Sequence, residues 1–402
     1  MPGVDPRSPH GGAAEEELLV PGAPDEESLQ DESEDLQVSG IGALLHDRRK
    51  LATAALLFVA GIAGIYLVIP KLVGIDESLS RLHQATWYWI AIAVAFNVVA
   101  FAAYVALFRG ILGGSVVDDV RRRLDLKASY QITMAGLAAT RIFSAGGAGG
   151  IVLTYWALRK AGMPRRRSAC RMVAFLVLTY APYLLALVIF GVLLRTGVLP
   201  GNNPVGGTIV PAVLAAVAVA VLGLVALIPG DFERRLRDFA RGYRRTRWAT
   251  RVARGPATLA TGVRTAIDYL RHPRRGALSV AGAVGFWAAN IGVLWASFEA
   301  FGGNVPFGVL VQGFFVGMAA NLVPSPAGGV GSVDAGMIGA FVLFGVPSGI
   351  VFPAVLTYRV IAFWLPIPPG LVAYFQLRRT VARWEEERGI YTSKSKVTAE
   401  AT

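Results

Sequence analysis

Six stretches of this chain are apolar for about 20 residues, the length an α-helix needs to cross a bilayer. They are Leu51–Pro70, Trp87–Phe108, Met172–Leu194, Thr208–Pro229, Ala277–Ala300 and Ile350–Leu377. Lipid offers no hydrogen bonds, so a spanning segment must satisfy its own backbone, and a helix does so within one segment. Composition agrees. The 402 residues are 54% hydrophobic and 16% charged, with mean hydropathy +0.52, whereas soluble domains carry about a quarter charged residues. The expected fold is an all-α integral membrane protein with about six transmembrane helices.

Two further pairs of apolar segments are too short to cross: Ser129–Phe143 with Ile151–Lys160, and Phe307–Val323 with Val333–Phe344. A glycine run joins each pair. The runs belong to a motif that occurs twice. Ser144-Ala-Gly-Gly-Ala-Gly-Gly is followed by an apolar stretch, the turn Ala161–Pro164 and Val177-Leu178-Thr179-Tyr180. Ser325-Pro-Ala-Gly-Gly-Val-Gly-Ser is followed by an apolar stretch, Phe344-Gly345-Val346-Pro347 and Val355-Leu356-Thr357-Tyr358. Each pair reads as a re-entrant hairpin of half-helices. Irregular backbone at that depth is tolerated only where protein shields it or where it lines a wet cavity. Glycine-broken segments at matching places in two halves point to a transporter's binding site.

The basic segments His46–Lys50, Arg109–Lys127, Arg159–Arg171, Asp231–Arg275 and Arg378–Arg388 set the orientation, because cytoplasmic connections carry the excess of Lys and Arg. Placing all of them inside gives six crossings, two hairpins of opposite sense and both termini in the cytoplasm, an inverted repeat in the cell membrane. Residues 46–378 form the membrane domain and 379–402 a cytoplasmic C-terminal tail. Within the former, 231–275 holds thirteen arginines and four acids and reads as an interfacial segment on anionic headgroups. Nucleic acid is a poor partner for a patch between two spans. Residues 1–45 are rich in Pro, Gly, Ser and acids, with eleven acids and one arginine in the first forty. They form an acidic cytoplasmic tail expected to be disordered. No apolar stretch precedes Leu51, so no cleaved signal peptide is expected. The single Cys170 excludes an intramolecular disulfide, and four scattered histidines suggest no metal site.

Candidate binding residues sit at the hairpins and the last span. Gly146, Gly147 and Gly149 in the first run, and Gly328, Gly329 and Gly331 in the second, each precede or open a half-helix, where glycine admits a ligand close to backbone N–H groups. Close helix packing is the alternative reading. Arg141, Asp334 and Arg359 are ionisable groups at membrane depth, where each charge costs at least about 2.5 kcal/mol and faces a cavity or a partner. The arginines suit an anionic headgroup; the alternative is an internal Arg–Asp pair that fixes packing. Asn321 ends the half-helix entering the second run, and Tyr358 precedes Arg359. Asn97 and Asn290 read as interhelical hydrogen-bond formers. Pro366, Pro368 and Pro369 remove donors and break the last span.

The run Asn321-Leu-Val-Pro-Ser-Pro-Ala-Gly-Gly-Val-Gly-Ser-Val-Asp334, with Gly345-Val346, Tyr358-Arg359, Trp364-Leu365-Pro366 and Gly370, resembles the transmembrane region of the lysylphosphatidylglycerol synthase family, also called flippase-like domain proteins. The resemblance covers most of Leu51–Arg378. It implies a protein that moves, or helps to move, a lipid between leaflets. In well-known relatives the region is fused to a soluble aminoacyl-transferase domain, and after Arg378 only a short segment follows here, so no such domain and no enzymatic activity or cofactor are expected. Many relatives carry a Gly-Glu pair in the first hairpin where this chain has only Gly and Ala, and Asp334 stands where Glu is common. The expected substrate is therefore a phosphate-bearing lipid of open identity: aminoacylated phospholipid, plain phospholipid or polyprenyl phosphate. Two other classes stand beside a flippase: a small-solute transporter on the same fold, and a non-transporting partner that scaffolds a membrane lipid synthase. The scarcity of polar side chains in the spans disfavours the long polar tunnel a solute carrier needs.

Overall fold

The computed structural model describes residues 85–112, 118–142, 148–228, 246–322 and 329–400. The first expected span, Leu51–Pro70, and the acidic tail lie outside these residues. Among the described residues every regular element is helical. In chain order these are α1 (Trp87–Leu112), α2 (Asp118–Arg123), α3 (Leu126–Ile142), α4 (Ala148–Lys160), α5 (Arg165–Arg195) and α6 (Ile209–Leu227). They continue with α7 (Thr246–Arg271), α8 (Pro273–Glu299), α9 (Phe307–Met318), α10 (Ser332–Leu343), α11 (Ser348–Arg359) and α12 (Ile367–Glu400). A 3₁₀ turn, Ala319–Leu322, extends α9, and a π-helical segment, Val360–Trp364, joins α11 towards α12. Five helical stretches are long and apolar enough to span: Trp87–Leu112, Arg165–Arg195, Ile209–Leu227, Gly276–Glu299 and the combined Ser348–Glu387. They coincide with the last five expected spans. The chain is an all-α integral membrane protein.

Local sequence explains where helices start. Pro164, Pro306 and Pro347 stand immediately before α5, α9 and α11 with φ of −59°, −55° and −59°, an angle already set for helix entry. Pro273 opens α8 at a position whose N–H has no intrahelical partner anyway. Beyond Arg378 the chain continues as helix α12, and no glycine or proline interrupts Leu371–Arg388.

Glycines set the closest contacts. A Cβ on Gly282 of α8 would lie 2.5 Å from the Leu107 nitrogen of α1, and one on Gly317 of α9 would lie 2.6 Å from the Met337 Cα of α10. Gly136 of α3 and Gly150 of α4 face each other in the same manner. Small residues admit such approach between membrane helices. The core is aromatic: Phe298, Phe314, Phe315 and Phe341 are buried with Met337, Val351 and Tyr358. The last span is the most enclosed, with 72% of its apolar window buried against 11% for α6.

The connections gather into two groups. In one, the Arg171 side chain donates to the Ile111 and Leu112 carbonyls that end α1, Arg264 donates to Ala226 near the end of α6, and Lys160 pairs with Glu385 at 3.0 Å. Arg123 lies near both Gly162 and Glu387. In the other, the Thr86 N–H donates to Ala300, Gly201 meets Val309, Gly303 meets Ile350 and Gly345 meets Asn202. Spans α1, α5, α6 and α8 each run from one group to the other. The start of α3 and the end of α4 both lie in the first, whereas the start of α9 and the end of α10 both lie in the second.

Candidate functional site

The site begins with a backbone deficit. In the π segment the Leu365 N–H donates to the Val360 carbonyl five residues back, at 2.9 Å. The next three carbonyls then run out of partners. Ile361 would look to residue 366, Ala362 to 366 or 367, and Phe363 to 367 or 368. Residues 366 and 368 are prolines and have no N–H. Three buried acceptors are left with one main-chain donor in reach, that of Ile367. Buried carbonyls without partners are costly, and here side chains from distant elements serve them. Asn97 of α1 donates to Ile361 at 2.9 Å. Arg141, in the last turn of α3, donates to Ala362 and Phe363, both at 2.8 Å. The sequence-based expectation that Asn97 bonds between helices is met. Asn290 differs: it donates to Phe286 of its own helix at 2.8 Å, because a carbonyl one turn back is always within reach of a short polar side chain.

The second arginine lies beside the first. Arg359 ends α11 just before the break and is 4% exposed; Asp334, in the first turn of α10, is 7% exposed. The Arg359 Nε lies 2.6 Å from Asp334 Oδ1, and its Nη2 donates to the Gly329 carbonyl at 3.1 Å. The other Asp334 oxygen accepts the Gly331 N–H at 2.8 Å. That amide, expected to face a ligand, is therefore held by the protein's own carboxylate. The ring of Phe363 joins the two cations: Arg359 Cζ stands 4.4 Å from its centroid and Arg141 Cζ 5.2 Å. They can be no further apart than the sum of those distances. Phe363 packs with Val330, Ile367 and Ile142, so the end of α3 and the start of α10, one from each half of the chain, meet at the break.

Of the residues expected at a site, the structure brings Arg141, Gly329, Gly331, Asp334 and Arg359 together. Tyr358 is buried next to them with its ring against Phe314 at 5.8 Å. Asn321 is exposed at the end of its 3₁₀ turn, where its Oδ1 lies 2.7 Å from the place a Gly329 Cβ would take. Gly329 and Gly331 have φ of +90° and +86°, angles open in practice to glycine alone. At Gly329 an added side chain meets Asn321 and Val333; at Gly331 it meets nothing within 4 Å among the described residues. Backbone conformation thus explains both glycines, and packing adds a second reason at Gly329. Gly149 lies in the first turn of α4. Gly146, Gly147 and Gly328 fall outside the described residues. Sequence reasoning missed Phe363 and the pairing of Arg141 with main-chain carbonyls. The signal was present in the Pro-x-Pro-Pro run, which had to release carbonyls somewhere upstream.

A membrane protein with a proline-broken last span and charged residues buried at the break is the class this arrangement defines. The family model described as the lysylphosphatidylglycerol synthase TM region matches residues 51–370, and the chain belongs to that family. Relatives include two described as UPF0104 membrane proteins from Methanothermobacter thermautotrophicus. One is 25% identical over 81% of this chain and 93% of its own length. The other is 21% identical over 79% and 94% respectively.

Proposed function

We propose that the chain moves a phosphate-bearing lipid between leaflets, the headgroup passing the Arg141–Asp334–Arg359 cluster while the hydrocarbon chains stay in lipid. One observation carries this reading. Two guanidinium groups and a single carboxylate gather around Phe363, and among the described residues no carboxylate pairs with Arg141. A surplus cation at membrane depth is costly without a counter-charge, and a phosphate supplies one in the two-pronged geometry that arginine prefers.

In this reading α3–α4 and α9–α10 are re-entrant hairpins of opposite sense. The sorting of their ends supports it: each pair returns to the group of connections from which it set out. The first group, which holds nearly all the described Lys and Arg residues, is then cytoplasmic, as are both termini, and the membrane is the cell membrane. The substrate is an aminoacylated or plain phospholipid or a polyprenyl phosphate, and no chemical step is involved.

The test is a leaflet-translocation assay in proteoliposomes with headgroup-labelled phosphatidylglycerol, a plain phospholipid and a polyprenyl phosphate. At least one should cross faster than in protein-free vesicles. Gly147→Val and Gly329→Val should abolish the movement while the protein still inserts. Rates no faster than in empty vesicles for all three lipids would overturn the reading and favour an accessory role beside a lipid synthase.

A further inference from the structure

Arg141 serves two neutral carbonyls although it is charged, and this is a weak use of a guanidinium. The Ala362 and Phe363 oxygens that it holds, both at 2.8 Å, present two acceptors to one planar fork. A phosphate presents the same pattern with negative charge, and so adds attraction between opposite charges to the charge-assisted hydrogen bonds that a guanidinium makes with either partner. We infer that Arg141 is an exchangeable clasp, alternating between the two main-chain carbonyls it holds here and the phosphate of a headgroup, so that the protein's own backbone competes with its ligand. This rests on the lipid-transport reading above and adds to it a reason for the proline run.

The competition exists only because of the prolines. Were residue 366 to carry an N–H, the Ala362 carbonyl would have a donor in its own helix and Arg141 would lose a rival. Releasing the clasp has a structural consequence as well. It leaves Ala362 and Phe363 with the single Ile367 N–H between them, and so loosens the break in a span that packs against both helix pairs. Arrival of a headgroup would thereby free the segment that has to move. A site whose competent form is partly occupied by an internal competitor binds more weakly by that fraction, so relieving the competition tightens binding.

The experiment compares wild type, Pro366→Ala and Pro368→Ala, each in detergent, by titration calorimetry. The probes are short-chain phosphatidic acid and, separately, inorganic phosphate. Pro366→Ala should bind about threefold to tenfold more tightly, the range one hydrogen bond covers, and in vesicles should move lipid more slowly. Pro368→Ala, which returns a second donor for Phe363, should shift affinity in the same direction. The probe that tightens identifies the source of the phosphate. In an Arg141→Lys background, where the fork is absent, neither alanine should change affinity. If Pro366→Ala does not fold, Pro368→Ala decides. Unchanged or weaker affinity in the folded variants overturns the clasp and leaves transport standing. Failure of wild type to bind either probe overturns the transport reading and the clasp with it.

Discussion

Phe363 is the residue at which cations from the two halves of the chain meet. Its ring is shared by Arg141 and Arg359, and a cation over an aromatic face gains about 0.5–2 kcal/mol, more when both are desolvated. That does not offset two cations beside one carboxylate, so the balance of the cluster is open to titration by mutation. Arg359→Gln leaves one cation and one anion in the cluster, a neutral set with no call for an anion. Asp334→Asn keeps an oxygen for the Gly331 N–H but leaves two unopposed cations. Both single variants lose a partner of a buried pair, so both should be destabilised, by about 3–5 kcal/mol. Their effects on ligand should diverge. Arg359→Gln should lose affinity for short-chain phosphatidic acid, whereas Asp334→Asn should retain or increase it. The double variant should recover most of the lost stability, because no uncompensated charge remains on that pair. Thermal unfolding together with calorimetry checks this. Equal loss of affinity in the two single variants would mark the pair as a packing device alone.

At the scale of elements, glycine does two different jobs on one helix. A Cβ on Gly336 of α10 would stand 2.5 Å from the Ala320 Cβ and 2.9 Å from the Gly317 carbonyl oxygen, whereas Gly339 has nothing within 4 Å. Gly336→Ala should therefore force α9 and α10 apart at about 1–3 kcal/mol, while Gly339→Ala should be neutral or stabilising by up to about 1 kcal/mol. Thermal unfolding of the two variants in detergent separates them; equal melting temperatures would contradict the tight α9–α10 contact. Much of this level was legible in the sequence. Apolar length located five spans, the short paired segments located α3, α4, α9 and α10, and Pro366-x-Pro-Pro located the break. Helix ends were less legible: α5 begins at Arg165 rather than Met172, because arginine stems continue a helix past its apolar stretch while the charged heads reach out. The partners of the break were not legible at all. Asn97 and Arg141 lie more than 200 residues from the carbonyls they serve. Which polar group reaches them depends on how helices pack, and local pattern does not encode that.

For the whole molecule, the sorting of connections into two groups carries the argument about direction. The group around Leu112, Lys160–Arg171, Ala226 and Arg264 binds its helix ends with arginine side chains. The other, around Thr86, Asn202, Gly303 and Gly345, is held by backbone and small residues, and among described residues its neighbourhood has few charges besides Arg195 and Glu299. A membrane potential and translocation machinery that retain Lys and Arg inside would put the first group in the cytoplasm. Cysteines placed singly at Asn202 and Thr246, in a Cys170→Ala background, report the sides directly. Cys170 is buried, so its removal is a small change of volume away from either label. An impermeant thiol reagent added to intact cells should label position 202 and spare 246 until the membrane is permeabilised. The reverse pattern would invert the molecule. Labelling of both from outside would place the two groups on one face, and two hairpins of opposite sense could not then converge on a midplane site. The expected pattern would leave α3–α4 opening from the cytoplasm and α9–α10 from outside, with Arg141 and Arg359 as the cations that a headgroup meets where the two routes converge.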